Sequence, residues 1–142
     1  MIQWAANLFR MQNSGMGSSR KSLTSLTWES VQAELNQAEE ARSAGNEGMA
    51  RVCARRAAGF AAGAYLDERK YGKTGSSAYD QLRHLCEIPD ISPRVRQAAE
   101  YLLIHVTPEH ALPVQADLIA EARWLAEFLI FGEQGADRLG DI

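Results

Sequence analysis

A chain of 142 residues has the length of one domain, and 46% hydrophobic with 23% charged residues is typical of a globular protein with a single core. The formal net charge of −3 argues against a general nucleic-acid binder, which would be basic. Cys53 and Cys86 form no CxxC pair, so we expect reduced thiols in a cytoplasmic protein.

The N-terminal stretch lacks the features of a secretory signal. It has no basic start, and Gln3 and Asn7 interrupt its apolar run before Arg10. No run of 18 uncharged apolar residues occurs in the chain, so we expect no transmembrane helix. Because Ser and Gly then become frequent, residues 1–26 are predicted to be a flexible lead-in.

The first two predicted helices form a hairpin. The first runs from about Thr27 to Ala44 because apolar residues recur there at helical spacing: Trp28, Val31, Leu35 and Ala38. Gly45 is predicted to end it, and Asn46 with Glu47 to begin the second helix. A connection this short predicts antiparallel neighbours.

The second predicted helix runs to about Lys70, and apolar residues cover two of its sides. The first side consists of Met49, Cys53, Ala57, Phe60 and Ala64, and the second of Val52, Gly59, Gly63 and Leu66. A helix that is apolar on two sides packs against several neighbours, so we predict that this helix is central. The spacing of Gly59 and Gly63 predicts the close approach of another helix.

Three shorter helices are predicted to follow. A Ser cap at 76 or 77 starts the third, Ser92 before a proline starts the fourth, and Gly132 ends the fifth. The predicted bounds are about Ser77 to Glu87, Pro93 to about Val106, and Leu112 to Phe131. No alternation typical of β-strands occurs, so we predict an all-α fold, a single-domain antiparallel bundle of about five helices over residues 27–131, with a loose tail at 132–142.

The fifth helix has a wider apolar face than one packing seam requires. Its aromatic residues Trp124, Phe128 and Phe131 lie beside the main seam of aliphatic residues. We interpret the three aromatic residues as a candidate interface between two copies of the chain. The alternative is that they cover the core beneath the first helix.

Three arginines, Arg51, Arg55 and Arg56, interrupt the Ala-rich second helix and form, with His105, a candidate anion-binding group. Arg51 and Arg55 are one turn apart, and Arg56 falls between the two apolar sides, where we expect it to be partly buried. A partly buried charge needs a partner. Either glutamates of the first helix pair with these arginines, or an anion such as a nucleotide or RNA phosphate binds them.

Other kinds of site find no support in the sequence. The three histidines, His84, His105 and His110, form no HExxH or Cys/His zinc pattern, and we predict no metal. The segment "GKTGSS" lacks the earlier glycine of a phosphate-binding loop, and no GxSxG motif occurs. We therefore expect no cofactor and assign no catalytic residue, which favours a non-catalytic protein.

The hairpin segment "LNQAEEARSAGNEGMARVCARRAAGFAAGAYL" resembles the HEPN-like group (higher eukaryotes and prokaryotes nucleotide-binding domains). The resemblance implies a small antiparallel bundle. Ribonuclease members of that group carry an Arg, four to six residues and then a His, and none of the three histidines here is preceded by Arg at that distance. The resemblance thus implies a non-catalytic binding or accessory module, which we expect to be a cytoplasmic homodimer with no membrane contact.

Two alternatives remain open. The arginine cluster could belong to an RNA- or nucleotide-directed enzyme or toxin-type partner. The same hairpin is similar to one tetratricopeptide repeat, with Gly45, Ala57 and Ala64 near the positions of its small residues, which implies a peptide-binding adaptor. Only one copy of that repeat is visible.

Overall fold

The computed structural model describes residues 19–69, 71, 77–104 and 116–132. Every regular element within those ranges is an α-helix, which confirms the all-α prediction. The helices are α1 (Ser19–Ser43), α2 (Glu47–Glu68), α3 (Ala78–Cys86), α4 (Pro93–Leu103) and α5 (Leu118–Phe131).

The turn between α1 and α2 forms as the sequence predicts. Gly45 has φ +80°, a left-handed conformation that glycine adopts without strain. The Asn46 side chain then accepts a hydrogen bond of 3.1 Å from the Met49 backbone N–H, which caps the start of α2. Ser77 caps α3 in the same way through the Asp80 N–H at 3.0 Å.

Helix α1 starts earlier than predicted. It begins at Ser19 rather than Thr27, so residues 19–26 are helical and are not part of a flexible lead-in. Ser and Thr cost a helix only a few tenths of a kcal/mol each, so a run of them, unlike Gly or Pro, does not end a helix. The remainder of the predicted lead-in, residues 1–18, lies outside the described ranges, as does the predicted tail from residue 133.

Helix α5 starts later than predicted, at Leu118 instead of Leu112. The Asp117 carboxylate accepts hydrogen bonds from the Ile119 and Ala120 backbone N–H groups at 3.1 and 3.3 Å, and this N-cap fixes the start of the helix. Helix α4 ends at Leu103 rather than near Val106, because the backbone is already extended at Ile104.

Helix α2 is the central element, as predicted. It contacts each of the other four helices. Around it, α1 contacts α5, α5 contacts α4, and α4 contacts α3, but α1 and α3 do not contact each other. The four outer helices thus form an arc around α2 that is open between α1 and α3.

All five helices contribute to one apolar core. The largest fully buried side chains are Val31 from α1, Leu66 from α2, Leu82 and Leu85 from α3, Val95 and Leu102 from α4, and Ile119 and Leu125 from α5. Helix α2 supplies mainly small residues, with six alanines and Gly59 buried. Small side chains let the outer helices approach its backbone closely.

One prediction about α2 is wrong. Cys53 and Ala57 are buried as expected, but Met49 and Phe60, assigned to the same apolar side, are each 46% exposed. The outer helices cover the alanine-rich sides of α2, whereas these two large side chains lie between Cys53, which contacts α1, and Gly59, which faces α3. Among the described helices, no segment combines the length and the hydropathy that a membrane span requires.

Candidate protein-binding surface

The three arginines of the predicted anion-binding group point in different directions. Arg51 and Arg55, one turn apart, are partly buried, whereas Arg56 is exposed. Adjacent helical residues point about 100° apart, so Arg56 cannot share the face of Arg55. The predicted partial burial of Arg56 is therefore wrong. His105 lies outside the described residues.

Arg55 binds a helix terminus. Its Nε donates a 2.7 Å hydrogen bond to the Leu102 carbonyl oxygen in the last turn of α4. Carbonyls in the last turn of a helix lack intrahelical partners, so this bond satisfies one of them. Burial lowers the pKa of the Arg55 guanidinium, and the nearby Tyr79 hydroxyl opposes the shift only in part.

Arg51 is placed differently. Its Nε is buried and has no hydrogen-bond partner. Its charge acts on the Glu47 carboxylate, whose pKa is lowered mainly by a hydrogen bond from Arg42 and to a smaller extent by the charge of Arg51. Arg42 binds Glu47 at 2.9 Å, so that carboxylate already has a partner.

The expected pairing of these arginines with glutamates of α1 is not found. Within the described ranges, no carboxylate lies within 4.0 Å of a guanidinium nitrogen of Arg51, Arg55 or Arg56. Glu34 of α1 instead lies beside the Cys53 thiol, with its Oε1 buried. Burial, followed by the charge of Glu34, raises the pKa of that thiol.

Met49, Arg56 and Phe60 form one line along α2, which we name the outer stripe. Their spacing of seven and four residues places them on the same side of the helix. All three are exposed, and the two apolar members are each 46% exposed. Sequence periodicity finds an apolar side here but cannot show whether another helix covers it.

Helix α1 flanks the outer stripe at Cys53, and α3 flanks only the end near Phe60, because its first residue, Ala78, faces Gly59. On the α1 side, the Cys53 thiol donates to the Gln37 Oε1 at 3.8 Å. On the α3 side, Gly59 and Gly63 face Ala78 and Gln81. A Cβ built on Gly59 would lie 2.5 Å from the Ala78 Cβ, so α3 packs almost on the backbone of α2.

The aromatic residues of α5 contact their own chain. Trp124 stacks on Phe128 with a centroid separation of 5.2 Å, and the Arg94 guanidinium lies 4.2 Å from the Trp124 ring centroid. Phe131 makes an edge contact with Trp28 of α1 at 5.0 Å. Only Phe131 of the predicted interface is strongly exposed, at 47%.

The remaining reactive groups offer little nucleophilic chemistry. Burial raises the pKa of both thiols, Cys53 and Cys86, which lowers their thiolate fraction at neutral pH. His84 Nδ1 is buried without a hydrogen-bond partner, and the ring makes an edge contact with Tyr71 at 6.4 Å. No group of three or more His, Cys, Asp or Glu side chains that could hold a metal occurs among the described residues.

Comparison of the chain with protein-family models, curated proteins and solved structures finds no match. The HEPN-like resemblance therefore stays a prediction.

Proposed function

We propose that this chain is a non-catalytic helical module that binds a protein partner through the outer stripe of α2. The observation that supports the proposal is the exposure of Met49 and Phe60 on the side of α2 that lies between Cys53, which contacts α1, and the two glycines that face α3. Both belong to residue types that are enriched in protein interfaces, as does Arg56 between them.

The grouping of these side chains favours a binding surface over the ordinary exposure of scattered apolar residues. Single exposed apolar residues are common and need no explanation. Here two large ones share a line with an unpaired arginine, on a helix whose other sides are closely packed by small residues. Because each side chain is 46% exposed, burying the remainder contributes roughly half of the 1.5–3 kcal/mol of a full burial, so the two anchors supply part of the binding free energy.

The proposal also includes the protein class, the location and the dimer that the sequence predicts. The module is HEPN-like and cytoplasmic, and it forms a homodimer through Trp124, Phe128 and Phe131. The exposure of Phe131 supports the dimer contact. Because Arg94 already covers one face of Trp124, Phe131 is the main anchor for a second copy.

Photo-crosslinking tests both surfaces. A photoreactive residue is placed at position 60, at position 131 or at Gln97, an exposed control on α4, and the protein is irradiated in its native host. We expect position 60 to crosslink a different protein and position 131 to crosslink a second copy of the chain, whereas position 97 gives neither product.

The proposal requires that the crosslink from position 60 to another protein depend on the outer stripe. Adding Met49→Asp to the chain with the probe at position 60 should abolish that product, because a charge would then replace an apolar anchor. A product that survives Met49→Asp, or that forms equally from position 97, contradicts binding through the outer stripe.

A second candidate function is anion binding by Arg51 and Arg55. One observation favours it: the Arg51 Nε is buried without a hydrogen-bond partner, one turn from a guanidinium that lacks a carboxylate partner among the described residues. Bound phosphate or carboxylate oxygens would accept from both side chains.

A further inference from the structure

We propose that the occupant of the outer stripe is an acidic amphipathic helix of another protein, packed into the opening between α1 and α3. This inference rests on the proposed function, which requires only that the stripe binds a protein. It adds the shape and the charge of the partner.

The shape follows from the arrangement of the helices. The outer helices surround α2 in an arc, and α1 and α3, the two ends of that arc, do not contact each other. A helix laid along α2 at that opening would close the arc. Met49 and Phe60 are eleven residues apart, which is about 16 Å at 1.5 Å per residue, or three turns of a partner helix.

The charge follows from Arg56. It lies between the two apolar anchors, it is exposed, and no carboxylate within the described ranges pairs with it. Gln37 and Gln81, on the helices beside the stripe, are uncharged, and Glu34 has a carboxylate oxygen buried beside Cys53. Asp67 is exposed on the same side of α2, but it lies seven residues beyond Phe60 and therefore outside the span between the two apolar anchors. A partner carboxylate facing Arg56 would therefore complete the interface.

A second copy of the chain fits this surface poorly. In a symmetric contact the same patch meets itself, and the midpoint between Met49 and Phe60 lies within two residues of Arg56. Two Arg56 guanidinium groups would then face each other within about one helical turn, and like charges at that separation oppose association. Of the chain's own terminal segments, residues 1–18 contain no Asp or Glu that could face Arg56. Residues 133–142 contain Glu133, Asp137 and Asp141, but their two glycines and few large apolar residues do not make an amphipathic helix with two apolar anchors three turns apart.

A displayed library of helical peptides tests the inference without knowledge of the natural partner. The peptides have fixed apolar anchors at i, i+4, i+7 and i+11, and the positions between them on the same face are randomised. Selection on the wild-type protein should enrich Asp or Glu at one of these positions. Selection on Arg56→Glu should enrich Lys or Arg there instead.

Affinities of the selected peptides provide the quantitative readout. By fluorescence anisotropy, we expect an acidic peptide to bind Arg56→Glu at least about fivefold more weakly than wild type, and a double Met49→Asp, Phe60→Asp variant not measurably. Because all three positions are exposed, circular dichroism should show that each variant remains folded.

Three outcomes of the peptide selection overturn the inference: no binding peptide, no charge preference, or a preference that Arg56→Glu leaves unchanged. Self-crosslinking from position 60 would also overturn it, because the occupant would then be a second copy. A stripe-dependent crosslink from position 60 without acidic selection leaves the proposed function standing and removes only this inference. If position 60 gives no crosslink to another protein in the otherwise wild-type chain, or if that crosslink survives Met49→Asp, the proposed function itself is removed.

Discussion

Arg42 joins three helices at one end of the bundle. It lies in the last turn of α1. Its guanidinium donates two hydrogen bonds of 3.1 and 2.9 Å to Glu47 of α2 and one of 2.9 Å to Asp117, the cap residue of α5. The Arg42 hydrogen bond lowers the pKa of Glu47. Burial alone would raise the pKa of Asp117, but bonds from Arg42 and from backbone N–H groups hold it below its usual value.

Replacing Arg42 by Met keeps the aliphatic stem and removes the charge. We expect the free energy of unfolding at pH 7 to fall by roughly 1 kcal/mol, a modest loss because all three side chains are partly exposed. The pKa values of Glu47 and Asp117 are lower in the folded protein than the ordinary values of 4.5 and 3.8 that apply to the unfolded chain. Both carboxylates therefore stabilise the fold at pH values above those ordinary values, and this contribution is lost as the pH falls through their pKa values in the folded protein.

Urea denaturation at pH 7 and at pH 2.5 measures the effect. The difference between Arg42→Met and wild type should shrink at the lower pH. An equal difference at both values would mean that the arginine acts through packing rather than through charge.

At this scale the sequence predicts which side chains need partners better than it predicts the partners. The sequence predicts glutamates of α1 as the partners, because they are close in sequence to the arginines of α2. The partners found instead are distant: Arg42 and Asp117 are separated by 75 residues, and Arg55 binds a carbonyl 47 residues away. Such pairs depend on how the helices assemble, which local spacing does not encode.

At the scale of elements, the two glycines of α2 have unequal roles. A Cβ on Gly59 would lie 2.5 and 2.7 Å from the Cβ and Cα of Ala78, so the backbone of α3 would have to move. A Cβ on Gly63 would meet the Gln81 Cδ at 3.4 Å, which is an ordinary contact with a longer side chain. The close approach therefore depends on the first glycine alone.

A matched pair of substitutions tests this difference. Gly59→Ala should destabilise the fold by about 2 kcal/mol, since the overlap outweighs the gain of about 1 kcal/mol in helix propensity. Gly63→Ala should be neutral or stabilising by up to about 1 kcal/mol. Chemical denaturation of both variants measures the two changes, and similar values would contradict the packing of α3 described above.

Helix bounds could be predicted where a local signal fixes them. Gly45 and Ser77 act through their own backbone and nearest neighbours, and the sequence indicates the first directly and the second as one of two adjacent serines. Apolar spacing that begins at Leu112 places the start of α5 six residues too early. Asp117, a good cap residue immediately before the apolar run, was the signal that would have placed it correctly.

At the scale of the whole molecule, the sequence predicts the central helix but not its open side. Helix α2 has apolar residues around much of its circumference, and periodicity alone cannot show which of them the other helices leave uncovered. That depends on the arc formed by α1, α5, α4 and α3. The outer stripe, and with it the proposed function, appears only in the assembled fold.

Side-chain NMR of the labelled chain, titrated with the protein captured through position 60, tests the central claim most directly. We predict that the Met49 methyl and Arg56 Nε–H resonances shift on binding, whereas the Trp124 indole N–H and the Arg55 Nε–H do not. Shifts confined to Trp124 would move the binding surface to α5, and shifts confined to Arg55 would favour the anion site. Either result would contradict binding through the outer stripe of α2.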